Sequence, residues 1–145
     1  MKSKNWYKKI QVGDYLLHAE EDSYPSCDDF TWYSRKTTLS DFRTWEECEW
    51  SEIEFNKFLA PIALTPNVLK KIGFHNIDEN NEIFKYSDSS IYITVNLRER
   101  TRVFVGSELV VNTALGYLHE LQHAIEFAGY NFDEIFNEKI LWLED

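Results

Sequence analysis

Ile91-Tyr92-Ile93-Thr94-Val95, with Ile83-Phe84-Lys85-Tyr86 before it and Arg102-Val103-Phe104-Val105 after it, is the stretch on which the fold turns. All three runs are rich in β-branched and aromatic residues, whose stiff or bulky side chains suit a pleated, half-buried surface better than a helix. Asp88-Ser89-Ser90, between the first two runs, is turn chemistry. The pattern predicts three strands in a small antiparallel meander.

Upstream of the meander, Pro61-Ile62-Ala63-Leu64-Thr65-Pro66 changes the character of the chain. Thr65 is a natural N-cap, Pro66 fits the first helical position, Val68, Leu69 and Ile72 form an apolar stripe, and Gly73 supplies a stop. A short helix is expected there. Downstream, from Asn112 or Thr113 to Ala128, the period becomes helical. At about 100° per residue, Ala114, Tyr117, Leu118, Leu121, Ala124, Ile125 and Ala128 fall within roughly 120° of arc, and Gly129 ends the run. The tail from Phe132 to Leu143 reads as a further helix, with Ile140-Leu141-Trp142-Leu143 as an alternative edge strand. Nearer the start, Gly13-Asp14 is a turn leading into a strand at Tyr15-Leu16-Leu17. The fold class is therefore α+β, a small antiparallel sheet between a short helix and an amphipathic one, preceded by a strand-containing N-terminal segment. At 145 residues the expectation is a single domain over 1–145, with an acidic, aromatic part over 1–60 and a helix-strands-helix part over 61–145.

Charge is unevenly spread. Of the net −10, residues 20–54 carry −8, with eleven acids (Glu20, Glu21, Asp22, Asp28, Asp29, Asp41, Glu46, Glu47, Glu49, Glu52, Glu54) against Arg35, Lys36 and Arg43. Direct binding to a phosphate backbone needs clustered Lys and Arg, so no direct nucleic-acid binding is expected. A basic protein partner suits such a face instead. Tyr24, Phe30, Trp32, Tyr33, Phe42, Trp45 and Trp50 are interleaved with these carboxylates, a composition unlike that of disordered segments. Trp45, Glu46, Glu47, Glu49 and Trp50 are the candidate partner-binding residues. No segment approaches the roughly 20 apolar residues of a membrane helix, and Met1 to Gln11 lacks the apolar run of a secretory signal, so a soluble cytoplasmic protein is expected. Cys27 and Cys48 are then reduced thiols, with a Cys27–Cys48 bridge as the minor alternative.

His119-Glu120-Leu121-Gln122-His123 spells the H-E-x-x-H motif of zinc peptidases. On a helix, residues four apart share a face, so two imidazoles can hold one zinc while the Glu acts as general base on the metal-bound water. The wheel above puts His119 and His123 opposite the apolar stripe. A catalytic zinc also needs a third protein ligand. A downstream histidine is excluded, because Glu126 and Gly129 stand where Gly and His are required, and Glu134, Glu138 and Glu144 are the remaining candidates. The favoured reading is that no metal and no catalytic residue is present and that the motif is an ordinary outer helix face. The alternative is a zinc metallopeptidase with His119 and His123 as ligands and Glu120 as base. Of the other polar residues, His18 and His75 read as loop or strand-end residues. Arg98, Arg100 and Arg102 read as a solvated edge.

Pro61-Ile62-Ala63-Leu64-Thr65-Pro66-Asn67-Val68-Leu69-Lys70-Lys71-Ile72-Gly73-Phe74, followed by strands and then by Tyr117-Leu118-His119-Glu120-Leu121-Gln122-His123-Ala124, resembles a family of small uncharacterised proteins of Bacteroidetes genomes and their phages. Its pattern is a "P-I-P-L-T-x-x-x-L-x-x-x-G-F" helix, a few strands, and a late helix reading "V-H-x-L-Q-x". The likeness covers roughly 60–128, and Ile10-Gln11-Val12-Gly13-Asp14-Tyr15 is similar to the family's opening strand, which implies a small barrel-like N-terminal segment. In that family the second His and the Glu of the late helix are often Asn and Gln, which implies that the motif carries no zinc. The resemblance implies a phage-related accessory protein in a bacterial cytoplasm and brings no activity with it. Combined with the acidic, aromatic block, it leads to a non-enzymatic protein that acts by protein binding. An inhibitor of a host defence or nucleic-acid-handling system, presenting a nucleic-acid-mimicking face, is one concrete form.

Overall fold

The computed structural model describes residues 5–21, 30–88 and 90–135. They belong to two compact units that meet in sequence at Ile62 and Ala63, two residues beyond the change of character expected after residue 60.

In the first unit a 3-10 turn at Trp6–Lys9 leads to β1 (Tyr15–Glu21), the central strand of a three-stranded antiparallel sheet. Gly13 takes the expected turn with φ 96°, and the buried Asp14 carboxylate accepts the Gln11 N–H at 2.8 Å. β2 (Phe30–Lys36) and β3 (Leu59–Pro61) flank β1, with Leu16 opposite Arg35 on one side and Pro61 on the other. Among the described residues these strands form an open sheet, so the barrel-like segment implied by the resemblance is replaced by three strands. Between β2 and β3 lie α1 (Leu39–Glu47) and α2 (Glu52–Phe58). α1 begins at a capping box in which Asp41 N–H donates to Thr38 Oγ1 and Thr38 N–H donates to Asp41 Oδ2. α2 begins with Ser51 N–H donating to the Glu54 carboxylate. The acidic, aromatic stretch therefore supplies a strand and two helices of the unit and is no appendage. Trp6, Ile10, Tyr15, Leu16, Trp45, Leu59 and Ile62 are its buried apolar residues.

The second unit opens with α3 (Pro66–Ile72), built as its sequence requires: Thr65 Oγ1 accepts the Val68 N–H, Pro66 starts the helix, and Gly73 ends it at φ 113°. The meander follows as β5 (Ile83–Ser87), β6 (Ile91–Asn96) and β7 (Thr101–Val105), the three expected strands, in continuous antiparallel register. Two strands were not expected. β4 (His75–Asn76) is too short to show a period, and β8 (Glu108–Thr113) is an edge strand with no buried residue. The sheet order is β4-β5-β6-β7-β8. Arg102 thus lies on an interior strand rather than an edge, while Arg98 lies beyond β6 and pairs with Glu82 at 2.8 Å.

α4 (Leu118–Phe127) starts about five residues later than its periodicity suggested, because Asn112 and Thr113 belong to β8 and Ala114 is exposed. Before it, Ala63 bridges to Tyr117 and Leu64 N–H donates to Gly116 C=O, which holds the chain extended up to the cap. Gly129, at φ 92°, ends α4, and Tyr130 N–H reaches back to Ile125 C=O. α5 (Phe132–Ile135) is the first turn of the expected tail helix; the rest of that tail, including Glu138 and Glu144, lies outside the described residues, as does Cys27.

Candidate functional site

The H-E-x-x-H residues occupy the first turns of α4. His119 is 2 % exposed and Gln122 also 2 %, so the outer-face reading of the motif is corrected: only His123 and Glu120 are partly accessible. The helix is covered over more than half its circumference, and the extended segment before it reaches His119 through Tyr117, whose ring stacks on the imidazole at 5.6 Å and 8°. The His119 and His123 rings lie 5.8 Å apart at 73°. Glu120 Oε1 accepts the N–H groups of Gly116 at 2.9 Å and Tyr117 at 3.0 Å. The carboxylate is thus an N-terminal cap in its helix's first turn, where the backbone N–H groups and the helix dipole favour a negative charge. This arrangement fits a folding role for Glu120, and the pair of imidazoles does not present a joint open face for a metal. Among the described residues no group of three or more His, Cys, Asp or Glu side chains is placed to hold a metal ion; Glu134 is exposed on α5.

The α1–α2 region brings together the residues singled out as partner-binding. Trp45 is the hub: its ring lies 4.9 Å from Phe42, 5.5 Å from Trp50 and 5.4 Å from Phe55. Phe55 also meets Trp50 edge-on at 5.3 Å and stacks flat on Tyr7 at 4.7 Å. Tyr7, Phe42, Trp45, Glu46, Trp50 and Phe55 enclose an open bowl of about 300 Å³. Trp45 is buried, so it contributes as a wall of this bowl rather than as a projecting anchor, whereas Trp50 is half-exposed. Glu46, Glu47 and Glu49 are exposed at the C-terminal end of α1, whose last turn holds no basic residue. Helix carbonyls already make that end negative, so three carboxylates there add to an unfavourable field that a cation would relieve. Glu49 also takes a left-handed conformation at φ 52°, ordinarily left to Gly or Asn. Trp32 and Tyr33, on β2, are exposed aromatics that the sequence did not set apart from their neighbours.

A second cavity, of about 250 Å³, uses the same two tryptophans as one wall and adds Phe58, His18, Arg35 and Asp41. Arg35 grips Asp41 in a bidentate pair, Nη1 to Oδ2 at 2.8 Å and Nη2 to Oδ1 at 2.9 Å. Burial pushes the Asp41 carboxyl upward, but hydrogen bonds from Arg35 and Thr38 N–H and the guanidinium charge outweigh it and hold the group down at about 2. His18, expected at a strand end, lies inside β1 and is buried, with Nε2 3.4 Å from Thr37 Oγ1. Burial first and the Arg35 charge second lower its pKa to about 4, Asp41 opposing, so the ring is neutral at physiological pH. Only the pairing of β1 with β2 brings these groups together, and no local spacing in the sequence announces it. His75, by contrast, is exposed on a two-residue strand as expected.

None of the helices in the described residues is long and apolar enough to cross a membrane. No protein-family model, curated protein or solved structure matches the chain.

Proposed function

We propose that the chain is a non-enzymatic accessory protein, of phage or mobile-element type, that binds a basic protein partner through the acidic face of α1 and α2. The observation that carries this reading is the exposure of Glu46, Glu47 and Glu49 at the C-terminal end of α1, with Glu46 lining an open aromatic bowl. Carboxylates spaced along a face can take the place of phosphates toward a groove that normally holds nucleic acid, while half-exposed rings provide contact area at low entropic cost. A basic protein of a host defence or nucleic-acid-handling system is a partner of this kind, and the bacterial cytoplasm is where the two would meet.

The test is capture of a basic partner from host lysate at low and high salt, with the native chain and with Glu46→Lys/Glu47→Lys/Glu49→Lys. Capture that weakens with salt and disappears in the triple variant is expected; equal capture by both chains would sink the reading. The alternative, a zinc metallopeptidase on His119, Glu120 and His123, draws no support from the geometry, since Glu120 is engaged with two backbone N–H groups and His119 is packed against Tyr117.

A further inference from the structure

We infer that the bowl of Tyr7, Phe42, Trp45, Trp50 and Phe55 is a seat for an organic cation, the ammonium or guanidinium head of a side chain on the partner, with Glu46 as its counter-charge. The inference rests on the acidic-face reading above and names the chemistry recognised there.

Three properties converge. The first is the wall material. The rings packed around Phe55 and Trp45 at 4.7–5.5 Å line an open bowl, and an aromatic face carries the negative lobe of its quadrupole. A cation placed over several such faces is attracted by each, the principle by which aromatic cages take quaternary ammonium groups. The second is the lip. Glu46 lines the cavity, and Glu47 and Glu49 stand exposed beside it in sequence, at the negative end of α1. A carboxylate ligand or a phosphate would meet repulsion from all of these groups; a cation meets none. The third is size. About 300 Å³ lies at the lower bound of cavities that hold small molecules, enough for one side-chain head and too small for a folded element.

The neighbouring cavity does not compete for the same ligand. Its own cation, Arg35, and its own anion, Asp41, satisfy each other there. Among the described residues that line the bowl there is a carboxylate and no cationic side chain, the asymmetry a cationic guest completes.

The experiment follows the indole N–H signals of Trp45 and Trp50 by NMR while the full chain is titrated with tetramethylammonium, with guanidinium, and with neutral tert-butanol as the uncharged match in shape. Saturable shifts with tetramethylammonium or guanidinium, at least roughly tenfold tighter than with tert-butanol and about threefold weaker in Glu46→Gln, are expected. The preferred cation then tells a lysine-like from an arginine-like guest. Equal response to tert-butanol, or no saturation by either cation, overturns the inference. Glu46 is exposed, so its replacement leaves the fold intact, and the comparison of ligands on the native chain needs no variant. Partner capture that fails while cations still bind removes the protein-partner reading alone. Capture that persists while no cation binds removes the cation seat alone.

Discussion

Replacing Glu120 with Ala separates a folding role from a catalytic one. In the structure Glu120 Oε1 accepts two backbone N–H groups, those of Gly116 at 2.9 Å and Tyr117 at 3.0 Å, at the start of α4. Both donors lack a helical acceptor by their position, so Glu120→Ala returns them to water or leaves them unmet. Loss of a cap costs about 0.5–2 kcal/mol, and loss of a negative charge at a helix N-terminus about 0.3–1 kcal/mol. A destabilisation of about 1.5–2 kcal/mol is expected for Glu120→Ala. Glu120→Gln keeps an amide oxygen that can accept the same bonds and loses only the charge, so about 0.5 kcal/mol is expected. Urea unfolding followed by circular dichroism, with slopes unchanged among the three chains, gives the two differences directly. If Glu120→Ala is as stable as the native chain, or if Ala and Gln cost the same, the capping account is refuted and the carboxylate is available for other work.

Further expectations come from the first unit. His18 has its pKa lowered from 6.5 to about 4, so the unfolded chain binds its proton first; stability is unaffected above 6.5 and falls as pH drops from 6.5 toward 4. Between pH 7 and pH 5 this amounts to about 1–2 kcal/mol by proton linkage, and His18→Gln removes that part of the slope in urea unfolding. Asp41, held at about 2 against an ordinary 3.8, works in a lower window: its contribution is complete above 3.8 and is lost as pH falls through 2, so Asp41→Asn changes unfolding at neutral pH but flattens the acid limb below pH 4. Glu49 sits at φ 52°, where a side chain costs about 1–2 kcal/mol and Gly little. Since Gly also gains unfolded-state freedom, Glu49→Gly is expected to stabilise by about 0.5–1 kcal/mol, read as a rise in thermal midpoint; a fall would show that Glu49 makes a contact worth more than its strain.

How much of this was legible depended on whether the signal was local. α3 was, because cap, first-turn proline and terminal glycine all lie within nine residues, Thr65 to Gly73. β6 was too, since Ile91, Ile93 and Val95 alternate with exposed or half-exposed neighbours. β8 was not: an edge strand without a buried face has no alternation to read, and only its end, Asn112 and Thr113, falls in the stretch read as the start of the following helix. Leu118, Leu121, Ala124 and Ile125 still fall within roughly 120° when Ala114 and Tyr117 are left out, so the apolar stripe itself stands; His119 and Gln122 read as outward only because they are polar. With α4 starting at Leu118, the buried residues span roughly 220° at about 100° per residue, and His119 falls at the margin of that arc, under Tyr117. The aromatic bowl was visible only as composition. Trp45, Trp50 and Phe55 converge because α1 ends, the chain turns at Glu49, and α2 returns, and nothing in their spacing alone separates a closed core from an open bowl.

Under the proposed function, position and not net charge alone makes the α1–α2 face a binding surface. Two variants of equal net charge test it: Glu46→Lys/Glu47→Lys/Glu49→Lys, and Glu79→Lys/Glu108→Lys/Glu126→Lys, whose residues are equally exposed in the second unit. Each triple moves the chain from −10 by +6 to −4. Titration calorimetry of both against the captured basic partner at one ionic strength is the decisive measurement. The first variant is predicted to lose binding by about a hundredfold or more, and the second to stay within about threefold of the native chain; equal losses in the two would contradict the claim.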